Sequence, residues 1–237
     1  MTATVVLVHG AWHGAWCWDH VAEQLRADDI PVVAIDLPGH GSSDADLGDL
    51  TVDAAALGAV LDGLDDAVVC GHSYGGAVIS EGAASHPALR HLVYVCAIVL
   101  DAGESCTASV TAVEAVDAAA LTSGIRIADD GTMTLDPSIA AEVLYHDCPA
   151  DDVARALTLL DAQRMDSLQA PATRAAWRDA PTTYALCTED RAIPPGLQRA
   201  FAARAGVVVE WPTSHSPFFA RPELVTALLA DRARAAT

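Results

Sequence analysis

The chain has 237 residues, 52% hydrophobic and 19% charged, enough for one large domain with a filled core and far from the composition of a disordered segment. Its 13 basic residues face 32 acidic ones, a net charge of −19 with no lysine at all. That balance argues against nucleic acid and against an anionic membrane surface, both of which need clustered cations.

The chain opens on an apolar run, TVVLV (4–8), without the basic region of a secretory signal, so it reads as part of the folded protein. A loop, HGAWHGAW, follows, and then a helix lined by Trp18, Val21 and Leu25. PVVAI (31–35) is a second strand. Leu57, Val60, Leu61 and Leu64 recur at helical spacing after Thr51, an expected N-cap. AVVC (67–70) runs into the glycine-rich GHSYGG and a small-residue helix. LVYVCAIV (92–99) is the next strand, and the apolar stretch 92–100 is too short to span a bilayer.

From about 103 to 180 no strongly β-branched run appears. Helical signals replace it: Val110, Val113 and Val116; Asp136-Pro137 as a cap; and Val153, Leu157 and Leu160 after Asp151-Asp152. A short hairpin fits 125–135. A segment this long is not expected to be a bare loop, and it reads as a mostly helical cap within a single domain, 1–237. TTYAL (182–186), VVVEW (207–211) and a helix marked by Leu224, Val225, Leu228 and Leu229 complete the chain. The near-continuous apolar runs predict parallel strands buried on both faces, and strand–helix alternation predicts an α/β, doubly wound, mainly parallel sheet of about six strands. The six cysteines have no paired spacing and read as small buried hydrophobes in a reducing, cytoplasmic compartment.

GHSYGG has the form G-x-S-x-G, between a strand and a helix, the context in which a serine sits on a sharp turn with amide N–H groups at the helix start. Ser73 is the expected nucleophile. It needs a base and an orienting acid. His215, in TSHSPFF after the last strand, lies at the same end of a parallel sheet. For the acid, CTEDRAIPP after TTYAL offers Asp190, with Glu189 beside it and Asp101, after LVYVCAIV, as the rival. The order Ser73, Asp190, His215 is the one that a strand–turn–helix serine hydrolase requires. The backbone N–H groups of Ala11 and Tyr74 are the expected oxyanion hole, and Gly10, Trp12 and His72 are expected to shape the substrate pocket. His9 and His13, four apart on a strand end and loop, do not read as a zinc pair. His20, His40 and His146 read as surface or loop residues. Neither a metal nor a cofactor is called for.

Taken together, HGAWHGAWCW, DLPGHGSS, GHSYGG, CTEDRAIPP and SHSPFF resemble the α/β-hydrolase superfamily over essentially the whole chain, most nearly the plant methylesterase and hydroxynitrile lyase group with its bacterial esterase-like relatives. The resemblance implies the α/β-hydrolase fold, a small-molecule ester substrate and, from the relatives, a homodimer as one option. It also sets two outcomes against each other. Lyases of this group are expected to carry threonine after the first-strand histidine and lysine after the catalytic histidine; here Gly10 and Ser216 stand there. Ester hydrolysis is therefore the expected reaction, with cyanohydrin cleavage and a small-molecule receptor with residual hydrolysis as the alternatives.

Overall fold

The computed structural model describes residues 2–112 and 119–235. Strand β1 (Thr4–Val8) is followed by helix α1 (Asp19–Ala27), β2 (Val32–Ile35), α2 (Leu50–Leu61), β3 (Ala67–His72), α3 (Gly75–Gly82) and β4 (Leu89–Val95). β1 and β3 carry the apolar runs read in the sequence, and nearly every residue in them is buried.

Between β4 and the next strand of the main sheet lie α4 (Cys106–Thr111), α5 (Ala119–Gly124), β5 (Ile125–Ile127), β6 (Thr132–Leu135), α6 (Pro137–Leu144), α7 (Ala150–Leu159), β7 (Gln163–Arg164) and α8 (Met165–Gln169). The fold then returns to β8 (Thr182–Cys187), α9 (Pro195–Ala202), β9 (Val207–Trp211), α10 (Pro217–Ala220) and α11 (Pro222–Ala235). Six strands form one parallel sheet in the order β2-β1-β3-β4-β8-β9. The chain lays β2 on one side of β1 and everything later on the other, so the sheet changes direction between β1 and β3. Ligands of open α/β sheets bind beyond the carboxyl ends of the strands at such a reversal.

Local expectations fare unevenly. Helix α2 starts one residue before Thr51, and its cap is Asp49, whose carboxylate accepts from the N–H groups of Thr51 and Val52. Asp136 does cap α6, with Pro137 in the first turn. The 125–135 hairpin forms as antiparallel β5 and β6, and β7 adds a third strand that the sequence does not announce. Val110 lies at the end of α4, whereas Val113 and Val116 fall outside the described residues. The last strand is not buried on both faces as expected: β9 is an edge strand, with Val207 and Val208 exposed. The 92–99 run leaves the sheet at Val95, because Cys96 takes a positive φ of 36° and turns the chain away. All six cysteines are free, and all but the half-buried Cys148 are buried.

Candidate active site

β1 and β3 are neighbours in register, Val8 opposite Gly71, so Gly10 and Ser73 meet just beyond the sheet. A Cβ on Gly10 would stand 2.8 Å from the Cβ of Ser73 and 2.9 Å from Nδ1 of His72, closer than carbon atoms tolerate. Ser73 has φ 53°, the left-handed region that a residue with a side chain enters only at a cost of about 1–3 kcal/mol. The turn is tight enough that a Cβ on Gly71 would meet the carbonyl oxygen of Gly75 at 2.5 Å, which is why glycines flank the serine. Ser73 is half-buried at the amino end of α3, where the helix dipole favours negative charge.

The peptide planes on either side carry the most informative geometry. Ser73 O accepts from Gly76 N and from Ile98 N, each at 3.0 Å. Gly10 O accepts from Nδ1 of His9 at 2.8 Å and from His13 N at 3.3 Å. In a planar trans peptide the N–H points opposite to the C=O. Tying back these two carbonyls therefore turns the N–H groups of Tyr74 and Ala11 the other way. Among the described residues neither amide has an acceptor within the protein. Both residues border the cavity that Ser73 also borders. Two unpaired amides beside one hydroxyl can hold an oxyanion.

His9 is fixed in one neutral form. Leu37 N donates to its Nε2 at 3.0 Å, so the proton sits on Nδ1 and goes to Gly10 O. Burial, with His40 nearby, lowers its pKa to about 3. His13 is locked likewise, with Nδ1 on Ala11 O at 2.8 Å and the Tyr145 hydroxyl on Nε2 at 2.6 Å; burial lowers its pKa to about 4.

His215, Asp190 and Ser73 come from the ends of different strands. Nδ1 of His215 hydrogen-bonds Oδ2 of Asp190 at 2.7 Å, with both side chains buried. Asp190 is saturated: Oδ1 accepts from the N–H groups of Ala192 (2.7 Å) and Ile193 (2.9 Å), and Oδ2 also accepts from Nε2 of Gln198 at 2.9 Å. The rival Asp101 is half-buried and held by the guanidinium of Arg178, which keeps its pKa low. Glu189 offers only its backbone, whose oxygen accepts from His146. On the other face, the His215 carbonyl accepts from Nε2 of His72 (2.8 Å) and from the Cys96 thiol (3.3 Å), holding the residue beside the turn that carries Ser73. Ser73 Oγ makes no hydrogen bond among the described residues.

The cavity measures about 420 Å³ and is walled mainly by apolar side chains, among them Ile98, Val110, Leu121, Met133, Leu168 and Ile193. Among the described residues no charged side chain lines it. Trp12 borders it as the sequence suggested, and its indole also packs under the 103–180 segment, donating to Met133 O at 3.1 Å. Gly10 and His72 do not line it. His72 lies behind the turn with its ring against that of His215, and burial beside other imidazoles drives its pKa well down. His40, expected at the surface, is buried, with its ring nitrogens on Pro38 O and Gln163 Oε1.

Sequence reasoning passed over Gln198, Asp53 and Gln163. Gln198 shares the buried stripe of α9 with Leu197, Phe201 and Ala202, and a glutamine in such a stripe is a signal that was there to read. Asp53 lies on the buried face of α2 and accepts from the Tyr74 phenol at 2.6 Å; burial lifts its pKa to about 6.

The family model described as alpha/beta hydrolase family matches residues 5–228. The chain belongs to that family. It is 28% identical to an alpha/beta hydrolase of Aspergillus novofumigatus, over 97% of this chain and 96% of that protein. It is 27% identical to methylesterase 3 of Arabidopsis thaliana, over 96% and 94%. The crystal structure of a pyrethroid hydrolase from Sphingobium faniae superposes with a TM-score of 0.87 at 25% identity, covering 99% and 98% of the two chains. The relatives include plant methylesterases and bacterial esterase-type hydrolases, the group that the motifs resemble.

Proposed function

We propose that the chain is a carboxylic ester hydrolase using Ser73 as nucleophile, His215 as base and Asp190 as the acid that orients it. The observation that carries this reading is the pair of unpaired amides, Ala11 and Tyr74, beside the strained serine at one edge of an apolar cavity. The esterase names of the relatives support it. Residues 103–180 act in it as the cap of a single α/β-hydrolase domain.

His215 takes the proton of Ser73 as Oγ attacks the ester carbonyl, and the amides of Ala11 and Tyr74 receive the oxyanion. Hydroxyl-to-imidazole contacts of this kind are commonly loose until substrate is in place. The Asp190 carboxylate fixes the His215 proton on Nδ1, leaving Nε2 as the acceptor, and stabilises the imidazolium once formed. That imidazolium then protonates the departing alcohol, and water completes the cycle along the same path. The uncharged cavity wall favours small neutral esters with apolar or aromatic parts. Gly10 supports acyl transfer over cyanohydrin cleavage, since a side chain there would collide with Ser73.

The test is Ser73→Ala assayed on p-nitrophenyl and methyl esters. Loss of turnover in a folded variant, together with a stoichiometric acylation burst in the wild type, is the expected result. Unchanged turnover would remove the mechanism, and acylation without turnover would turn the reading toward a receptor.

A further inference from the structure

Trp12 follows the oxyanion residue Ala11 and has φ 64°, a conformation that a bulky aromatic residue keeps only when its surroundings impose it. Three groups of the 103–180 segment do so. Asp161 N donates to Trp12 O at 2.8 Å, the indole N–H donates to Met133 O at 3.1 Å, and Trp12 N donates to Gln163 Oε1 at 3.4 Å.

Of these groups, only Gln163 contributes a side chain, and its setting is specific. It is 1% exposed, and it does not line the cavity. The orientation of its amide follows from its partners. Trp12 N–H can only donate, so the oxygen faces it. The Ser167 hydroxyl gives its proton to Arg164 O at 2.6 Å, so it receives the Gln163 amine at 2.7 Å. Ser167 in turn adjoins the phenol of Tyr74, which is anchored on Asp53. Gln163 therefore ties the loop carrying the Ala11 amide to Ser167, and its Oε1 also meets Nε2 of the buried His40 at 3.0 Å.

We infer that Gln163 is a positioning residue for the oxyanion cradle, acting through Trp12 to hold the Ala11 amide in line while touching no substrate itself. The inference rests on the esterase reading above. An amide aimed at developing negative charge acts in the transition state and hardly at all on the bound ester. Loosening Gln163 should thus depress kcat and leave KM nearly unchanged. A glutamine that merely filled a polar gap in the core would alter stability alone.

The experiment compares Gln163→Met, which keeps length and removes the three side-chain hydrogen bonds with Trp12 N, His40 Nε2 and Ser167 Oγ, with Gln163→Glu, which keeps an oxygen facing Trp12 N and His40. Thermal unfolding of each variant is recorded first. The assays are kcat and KM on p-nitrophenyl butyrate, together with inhibition by an alkyl trifluoromethyl ketone, which forms an oxyanion on the serine, and by the unreactive alcohol of the same shape. For Gln163→Met the expected result is a fall in kcat of about 10- to 100-fold with KM within about threefold. The ketone should weaken in step with kcat and the alcohol should not, and Gln163→Glu should retain more of kcat than Gln163→Met. Wild-type kcat in Gln163→Met, or equal weakening of ketone and alcohol, overturns the inference. If Gln163→Met fails to fold, Ser167→Ala is judged by the same criteria. Ser73→Ala runs alongside: should it keep wild-type turnover, the esterase reading falls and takes this inference with it. If Ser73→Ala is inactive while Gln163→Met is unaffected, the inference alone falls.

Discussion

His72 donates from Nε2 to the main-chain carbonyl of His215 at 2.8 Å, and the two rings stand 4.6 Å apart. The residue before the proposed nucleophile thus holds the backbone of the proposed base. Its Nδ1 is buried with no partner, a cost that the single bond to residue 215 must offset. His72→Ala should lower kcat about 10-fold or more while His72→Gln, which can still donate, loses less; a hydrogen bond to one neutral carbonyl is worth only about 1 kcal/mol, so the effect is one of aim. Steady-state kinetics on a p-nitrophenyl ester decides, and equal effects in the two variants would refute the positioning role.

The acid is tested by a pair of substitutions. Asp190→Asn leaves the shape of the site but presents an amide to Nδ1 of His215, and kcat should fall by about 10⁴-fold. Asp101→Asn breaks a half-exposed pair with Arg178 and should leave kcat within about twofold, since pairs of that kind contribute about 1 kcal/mol or less to stability alone. The reverse ranking would move the acid to the end of β4.

Acid should destabilise the fold well before the carboxylates as a group titrate. His9 (about 3), His13 (about 4), His91 (about 4) and His72 (well below the usual value) have depressed folded-state pKa values, so the native state keeps them neutral. Below about pH 6.5 the unfolded chain takes up protons that the native chain refuses, and stability falls as pH falls. Asp53, lifted to about 6, acts in the opposite sense, because below pH 6 the native state holds its proton and the unfolded state does not. Histidines outnumber it. Chemical denaturation between pH 6 and 4.5 should show stability dropping with decreasing pH, at a slope of about three protons, or roughly 4 kcal/mol per pH unit. A flat profile across that window would contradict the buried neutral imidazoles.

Tyr74→Phe removes the proton that satisfies Asp53 and leaves a buried carboxylate with no donor on Oδ2, its Oδ1 being unpaired already. The expected loss at pH 7.5 is about 3 kcal/mol, shrinking toward pH 5 as Asp53 takes up its own proton. Asp53→Asn should cost less than Tyr74→Phe at pH 7.5. Denaturation midpoints of the two variants at both pH values give the comparison, and a loss independent of pH would show that Asp53 is neutral throughout.

The sheet and the three loops carrying Ser73, Asp190 and His215 were legible in the sequence because each rests on a local pattern: a β-branched run followed by a chemically marked turn. Legibility ended where long-range packing decides. VVVEW reads as a core strand, yet β9 is an edge, since nothing within five residues tells which strands will have two neighbours. His40 sits in a polar, glycine-rich loop, yet it is buried and meets Gln163 from 123 residues away. His72 reads as a pocket residue because it adjoins Ser73, but the end of β3 is followed from behind by the His215 backbone.

The small β5-β6-β7 sheet and the strand-free helices α4 and α5 divide the segment over the cavity into two parts with separate obligations. Met133 and Gln163 hydrogen-bond Trp12, and Met133 also faces the cavity with Ile125 and Ile127, whereas α4 and α5 contribute Val110 and Leu121 to the cavity wall. Selectivity can therefore be re-engineered by exchanging the wall helices with those of a homologue, as one swaps a die in a press whose frame stays bolted. A chimera that replaced the hairpin as well would acquire a new mould and lose its alignment.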